Sequence, residues 1–150
     1  MIRILFVCYG NICRSTMAQS VMTELVRRAG LTGRFEIDSA ATSDEEIGNG
    51  LHPGTQRTLK RYGIPCVPHR ARQMTKADYD RFDLLIGMEK RNLRDMTAIT
   101  GGDPEGKIER LLERTDDKRD IADPWYTGDF ETTYADVLKG CKALLESLRG

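Results

Sequence analysis

The chain has 150 residues, 39% hydrophobic and 31% charged, which suits one soluble globular domain spanning residues 1–150 with room for a real core. Lysine plus arginine equals aspartate plus glutamate at 23 each, so no global field draws in nucleic acid or an anionic membrane, and neither is expected as a partner. No apolar run approaches the ~20 residues of a bilayer span, and two histidines with four scattered cysteines give neither a zinc spacing nor a disulfide scaffold. The expectation is a cytoplasmic protein with reduced thiols, without metal or cofactor.

Ile2 to Val7 is a β-branched and apolar run suited to a central parallel strand. A tight loop follows, and from Ser15 the pattern turns helical. Met17, Val21, Met22, Leu25, Val26 and Ala29 share one face, and Gly30 stops the helix. Phe35 to Ala40 reads as a second strand. Thr42 to Gly54 is a loop rich in acid, glycine and proline, from which Pro53 opens a helix through about Tyr62. Thr75 is expected to cap a short helix reaching Arg81. Asp83 to Met88 gives a third strand, and Glu89 to about Ile99 a helix ended by Gly101 and Gly102. Lys107 to Leu112 suits a fourth strand, or in part a helical turn. The last helix carries an apolar stripe from Phe130 through Tyr134, Val137, Leu138, Cys141, Leu144 and Leu145 to Leu148, with Asp129 as its N-cap.

Strands alternating with helices predict an α/β fold: a four-stranded parallel sheet of Rossmann-like type with helices on both faces. Ligands in such sheets bind at the carboxyl ends of the strands, which places Cys8 to Ser15 at the site.

That segment is Cys8-Tyr9-Gly10-Asn11-Ile12-Cys13-Arg14-Ser15. A loop between a strand and a helix can wrap its N–H groups around phosphate or another oxyanion, aided by the helix dipole. The same donors stabilise a thiolate, which makes Cys8 a candidate nucleophile. Arg14 offers a planar fork for two phosphate oxygens. Ser15 can hydrogen-bond the sulfur. A nucleotide-binding loop of the G-x4-G-K-[ST] kind is absent. The plain alternative makes Cys8 a buried strand end, Arg14 a surface residue and Ser15 a cap.

CYGNICRS resembles the C-x4-C-R-S signature of low-molecular-weight protein tyrosine phosphatases. The resemblance continues through DSAATS (Asp38 to Ser43), HRARQMT (His69 to Thr75), GMEKRNLRDM (Gly87 to Met96) and DPWYTGDFETTY (Asp123 to Tyr134). It implies the phosphotyrosine protein phosphatase I fold and a cysteinyl-phosphate mechanism on phosphotyrosine-containing proteins, in a monomer. It also implies that the Asp123 of Asp-Pro is the general acid and then the base. From the residues alone, Asp123 would be a turn or a cap on an extended loop set by Pro124. Asp116 and Asp120 lack the proline and are expected in solvent.

By the same resemblance, Asn11, Ser15, Ser39 and His69 support the loop, while Tyr9, Glu45, Trp125 and Tyr126 wall the substrate pocket. Relatives commonly carry an aliphatic residue at position 9 and an aromatic at 45, so these two are departures. Glu89 stands where relatives carry aspartate and is left outside the site. Isoleucine at position 12 favours an aromatic ester, since arginine phosphatases on this scaffold have threonine there. Cys13 is a candidate resolving thiol for Cys8. The competing readings are an arginine phosphatase, an arsenate reductase needing Cys66 and Cys141 as its second, relaying pair, and a non-enzymatic phosphate- or phosphopeptide-binding module.

Overall fold

The structure is a computed structural model that describes residues 1–149. Strand β1 (Ile2–Cys8) lies inside the sheet, because its residues 4–8 are apolar on both faces and can be covered only by being central. β2 (Phe35–Ala41) pairs with one edge of it and β3 (Leu84–Gly87) with the other, and β4 (Ile108–Arg110) pairs with β3. All pairings are parallel, as the alternating pattern predicts, and the order is β2-β1-β3-β4. The chain steps one way from β1 to β2 and then crosses back to β3. The crevice at this reversal opens at the carboxyl ends of β1 and β3, beside Cys8 and Gly87.

Side chains alternate across β1. Ile4, Phe6 and Cys8 belong to the core shared with α1 (Arg14–Arg28) and α6 (Phe130–Arg149), while Leu5 and Val7 join the core under α3 (Ala77–Arg81) and α4 (Lys90–Thr100). The α6 stripe meets α1 through Tyr134, Val137, Cys141, Leu144 and Leu145, all buried; Phe130, Leu138 and Leu148 pack at its margin. Gly87 is where β3 and α4 nearly touch: a Cβ there would lie 2.9 Å from Leu93 and 3.1 Å from Asn92.

Most boundaries fall within a residue or two of expectation, and two details, at Thr75 and at Lys107–Leu112, differ for local reasons. α2 (Pro53–Arg61) starts at the predicted proline, with the His52 ring nitrogen accepting from the Gly54 N–H at 2.9 Å. Thr75 does not cap α3; its own N–H is instead capped by the Asp78 carboxylate at 2.8 Å. The Lys107–Leu112 segment divides, giving strand to Arg110 and then a 3₁₀ turn at Leu111–Arg114 that buries Leu111 and Leu112. Asp123 is extended, as the proline after it dictates, and Pro124 itself opens a single helical turn, α5 (Pro124–Thr127), as a proline at the first helical position can. Asp129 caps α6 as expected, accepting from the Thr132 N–H at 2.9 Å. None of the described helices is long and apolar enough to cross a membrane.

Candidate active site

Residues 8–15 leave the buried end of β1, turn through the crevice and enter α1. Their carbonyls point outward. Cys8 O accepts from Thr42 N–H, Tyr9 O from Ser43 N–H, Ile12 O from His52 N–H and Cys13 O from Met17 N–H, at 2.9–3.1 Å. With the carbonyls so engaged, the loop's N–H groups are the donors left for an anion. The turn is made by Asn11, whose φ of 61° is left-handed; Gly10 is not the residue that takes the unusual angle.

Asn11 is fully buried and holds that conformation through its amide. Its Nδ2 donates to Ser15 Oγ at 2.8 Å and to Ser39 Oγ at 3.0 Å, while its Oδ1 accepts from His69 Nε2 at 2.8 Å and from the Arg72 N–H at 3.2 Å. Ser39 passes its own proton to Gln19 Oε1 at 2.5 Å. Because Ser15 Oγ accepts from Asn11, its proton is free for Cys8 Sγ, 3.0 Å away. The Asn11 N–H reaches the same sulfur at 3.3 Å. The sulfur therefore faces two donors, an arrangement suited to a thiolate or a departing thiolate.

Burial pushes the His69 pKa below its usual value; nearby Arg72 acts the same way and Asp38 opposes it. The ring accordingly favours its neutral form, with the proton on Nε2 fixed by Asn11. Burial, reinforced by the charge on Cys8 and Asp123, pushes the Cys13 thiol up to about 12.

Arg14 is only 1% exposed, which disposes of a surface role. Its Nη1 donates to Glu89 Oε2 at 3.1 Å and to Ile121 O at 2.9 Å, and its Nη2 lies 3.4 Å from Asp123 Oδ2. A buried guanidinium needs such partners, and they fix the plane of its fork. The other Asp123 oxygen caps α5, accepting from the Trp125 N–H at 3.0 Å. Asp123 is thus a helix cap, as the residues alone suggested, and also stands over the loop.

Cys8, Tyr9, Gly10, Ile12, Cys13 and Arg14 form the floor of a cup of about 110 Å³, with Asp123, Trp125, Tyr126, Glu45 and Glu46 as its walls. Asn11, Ser15, Ser39 and His69 stand behind it. Trp125 leans edge-on against the His52 ring, with centroids 5.8 Å apart, and it and Tyr126 remain largely exposed, open to a planar ligand. The two family departures meet: Tyr9 donates its hydroxyl to Glu45 Oε1 at 2.9 Å. Chemically, the cup combines a nucleophilic sulfur, a fixed bidentate cation and a carboxyl group above them.

Sequence reasoning left out Glu89, Glu46, Gln19 and Arg72. Glu89 was detectable. It lies two residues past the end of β3, beside the end of β1, and it also starts α4 through a reciprocal capping pair with Asn92. Its carboxylate goes to Arg14, not to His69. Asp120 is not simply solvated, since it accepts from the Lys90 N–H at 2.9 Å and from Arg110 at 3.1 Å. Asp116 pairs with Lys139 on the surface.

A family profile described as low molecular weight phosphotyrosine protein phosphatase matches residues 3–150. The chain belongs to that family. Among its relatives, the low molecular weight protein-tyrosine-phosphatase YfkJ of Bacillus subtilis is 40% identical over 99% of this chain and 97% of its own length. The YfkJ crystal structure superposes with a TM-score of 0.96, covering 99% of this chain and 95% of that one. The human low molecular weight phosphotyrosine protein phosphatase is 42% identical over 95% of this chain and 93% of its own. The Drosophila arginine phosphatase structure shares the low molecular weight phosphatase scaffold at 26% identity and a TM-score of 0.89, covering 99% of each chain.

Proposed function

We propose that this protein is a protein-tyrosine phosphatase that hydrolyses phosphotyrosine and aryl phosphate monoesters through a cysteinyl-phosphate on Cys8. The observation that carries the reading is Cys8 Sγ at the bottom of the cup, 3.0 Å from Ser15 Oγ and 3.3 Å from the Asn11 N–H, beneath the Arg14–Asp123 pair.

In the first step the thiolate attacks phosphorus, the S–P bond forms and the P–O bond to the phenol breaks. Asp123 gives its proton to the leaving oxygen. Arg14 and the loop N–H groups hold the three equatorial oxygens as charge spreads over them. In the second step Asp123 takes a proton from water, which attacks phosphorus and returns inorganic phosphate and the Cys8 thiolate. Ser15 stabilises that thiolate as it leaves. Every step has a side chain for it and none calls for a cofactor or metal.

Substrate class follows from the walls. Trp125, Tyr126 and Tyr9 present aromatic faces, and Ile12 offers the leaving group apolar bulk without a hydroxyl for a guanidinium phosphate. That favours tyrosine over arginine. Arsenate reduction needs a mobile relay cysteine. Cys141 is wholly buried, where burial drives its thiol pKa up, and Cys66 stands apart on the surface. A module that only binds phosphate has no use for a carboxyl group held over the anion. The same reading has the chain working as one domain and as a monomer in the cytoplasm, on phosphotyrosine proteins and not on nucleic acid or membranes.

The test is a panel of aryl phosphate, phosphotyrosine, phosphoarginine and phosphoserine peptides, with arsenate reduction alongside. Aryl phosphate and phosphotyrosine turn over fastest, and Cys8→Ser turns over none while still capturing phosphotyrosine proteins. Full activity in Cys8→Ser defeats the mechanism, and faster phosphoarginine turnover defeats the substrate class.

A further inference from the structure

The cup shares a wall with a second cleft of about 300 Å³, lined by Tyr9, Glu89, Arg91, Asp123, Tyr126 and Thr127. The Arg91 guanidinium lies 4.9 Å from the centre of the Tyr9 ring, and the ring's hydroxyl is tied on its far side to Glu45. Tyr9 thus stands as a partition. Glu45 and Glu46 line the cup on one side, and Arg91 lines the neighbouring cleft on the other. The two carboxylates that share the cleft with Arg91, Glu89 and Asp123, are both directed at Arg14. Among the described residues Arg91 makes no ion pair of its own, and its guanidinium is steadied over the Tyr9 ring.

We propose that this cleft is a subsite for an anionic side chain, a carboxylate or a second phosphate, on a residue flanking the phosphotyrosine. The proposal rests on the phosphotyrosine reading of the cup. With the phosphotyrosine ring against Trp125 and Tyr126, the peptide must leave the cup over one rim or the other. Glu45 and Glu46 repel an acidic neighbour on their side, and Arg91 attracts one on its side. The mouth is therefore polar along the Glu45–Tyr9–Arg91 line, and an acidic neighbour sets the direction in which the peptide lies. Because Arg91 is exposed, the attraction is screened by salt and amounts to about two- to fivefold in kcat/KM.

The experiment scans aspartate, alanine and phosphotyrosine through the three positions on each side of a phosphotyrosine in one peptide. Each rate is divided by the same variant's rate on a small aryl phosphate, at low and high salt. Wild type gains about two- to fivefold from aspartate or the second phosphotyrosine on one side only, and loses the gain at high salt. The gain disappears in Arg91→Ala, returns in Arg91→Lys and reverses in Arg91→Glu. Which of the two anions gains more distinguishes a carboxylate from a phosphate ligand. A flat scan in wild type, or the same one-sided gain in Arg91→Ala, overturns the subsite while leaving the phosphatase reading intact. Loss of aryl phosphate turnover in the wild type would instead overturn that reading and the subsite with it.

Discussion

Asp123 Oδ2 lies 3.4 Å from Arg14 Nη2, so the carboxyl group that the mechanism uses as acid touches the cation that the mechanism uses as clamp. The contact places the carboxyl above the loop, and the helix cap on its other oxygen stops it turning away. Asp123→Asn keeps a carbonyl oxygen for the cap but gives up the acceptor facing Arg14 Nη2 and removes the proton. Turnover of phenolic esters, whose leaving oxygen has a pKa near ~10, should fall about 10²–10⁴-fold. Esters of strongly acidic phenols should lose much less. A plot of log kcat against leaving-group pKa checks this, and equal losses across the series would remove Asp123 from the acid role.

On the phosphate itself, Glu89 acts through Arg14. Glu89→Gln keeps the reciprocal cap of α4 but weakens a charge-assisted bond to Nη1, leaving Ile121 O to orient the fork. We expect kcat to drop about tenfold to a hundredfold with a smaller change in KM, and Glu89→Asp to recover part of it. Phosphate affinity measured by calorimetry should fall in parallel. A loss of thermal stability alone, with kcat unchanged, would make Glu89 merely a cap.

Asn11→Ala strands four hydrogen-bond partners and puts a Cβ-bearing residue at φ 61° without a side chain to hold it there. The cost should be about 2–4 kcal/mol, or roughly 5–15 °C in Tm, with kcat falling as Ser15 loses its orientation. Asn11→Gly relieves the backbone but not the network, so it should recover stability more than rate. Thermal melts and steady-state kinetics on the two variants separate these contributions.

The pH dependence of stability should carry the mark of His69. Its folded-state pKa is depressed, chiefly by burial, so the unfolded chain binds the proton more readily. The stabilisation is fully present above the unfolded value of ~6.5 and is lost as pH falls through that value toward the folded one. His69→Gln should flatten the denaturation profile in that window. A wild-type curve that gains stability on acidification there would contradict this.

Cys13 is buried next to the nucleophile, and its thiol is held protonated at neutral pH. We expect it to stay silent until Cys8 is oxidised to the sulfenic acid, whose formation removes the thiolate charge. Cys13 then attacks the Cys8 sulfur, releasing water and closing a disulfide that an added thiol reopens. Peroxide followed by thiol should restore wild-type activity but not that of Cys13→Ser. Equal recovery in both would exclude the pairing.

The sheet and its helices were legible because β1 and the two long helices carry strong periodic patterns, and the Cys8–Ser15 loop could be placed in the crevice because it follows the first apolar strand. Less legible was anything set by contact between distant segments. No pattern within residues 84–92 says that Glu89 reaches Arg14; that follows from β3 pairing with β1. The Tyr9–Glu45 bond joins two positions that looked like unrelated departures. The proline after Asp123 told that position 123 is extended, but not that Pro124 would open a helical turn.

The place of β1 between β2 and β3 has a consequence for synthesis. Cys8 emerges from the ribosome before either neighbour of its strand, which cannot gain the second until residue 87 has emerged. The clamp then waits for Ile121 and Asp123, and α1 waits for α6 to cover it. A nascent chain therefore displays a thiol without the pocket that would make it reactive. The ability to strip phosphate arrives only once residues 121–123 and α6 have followed.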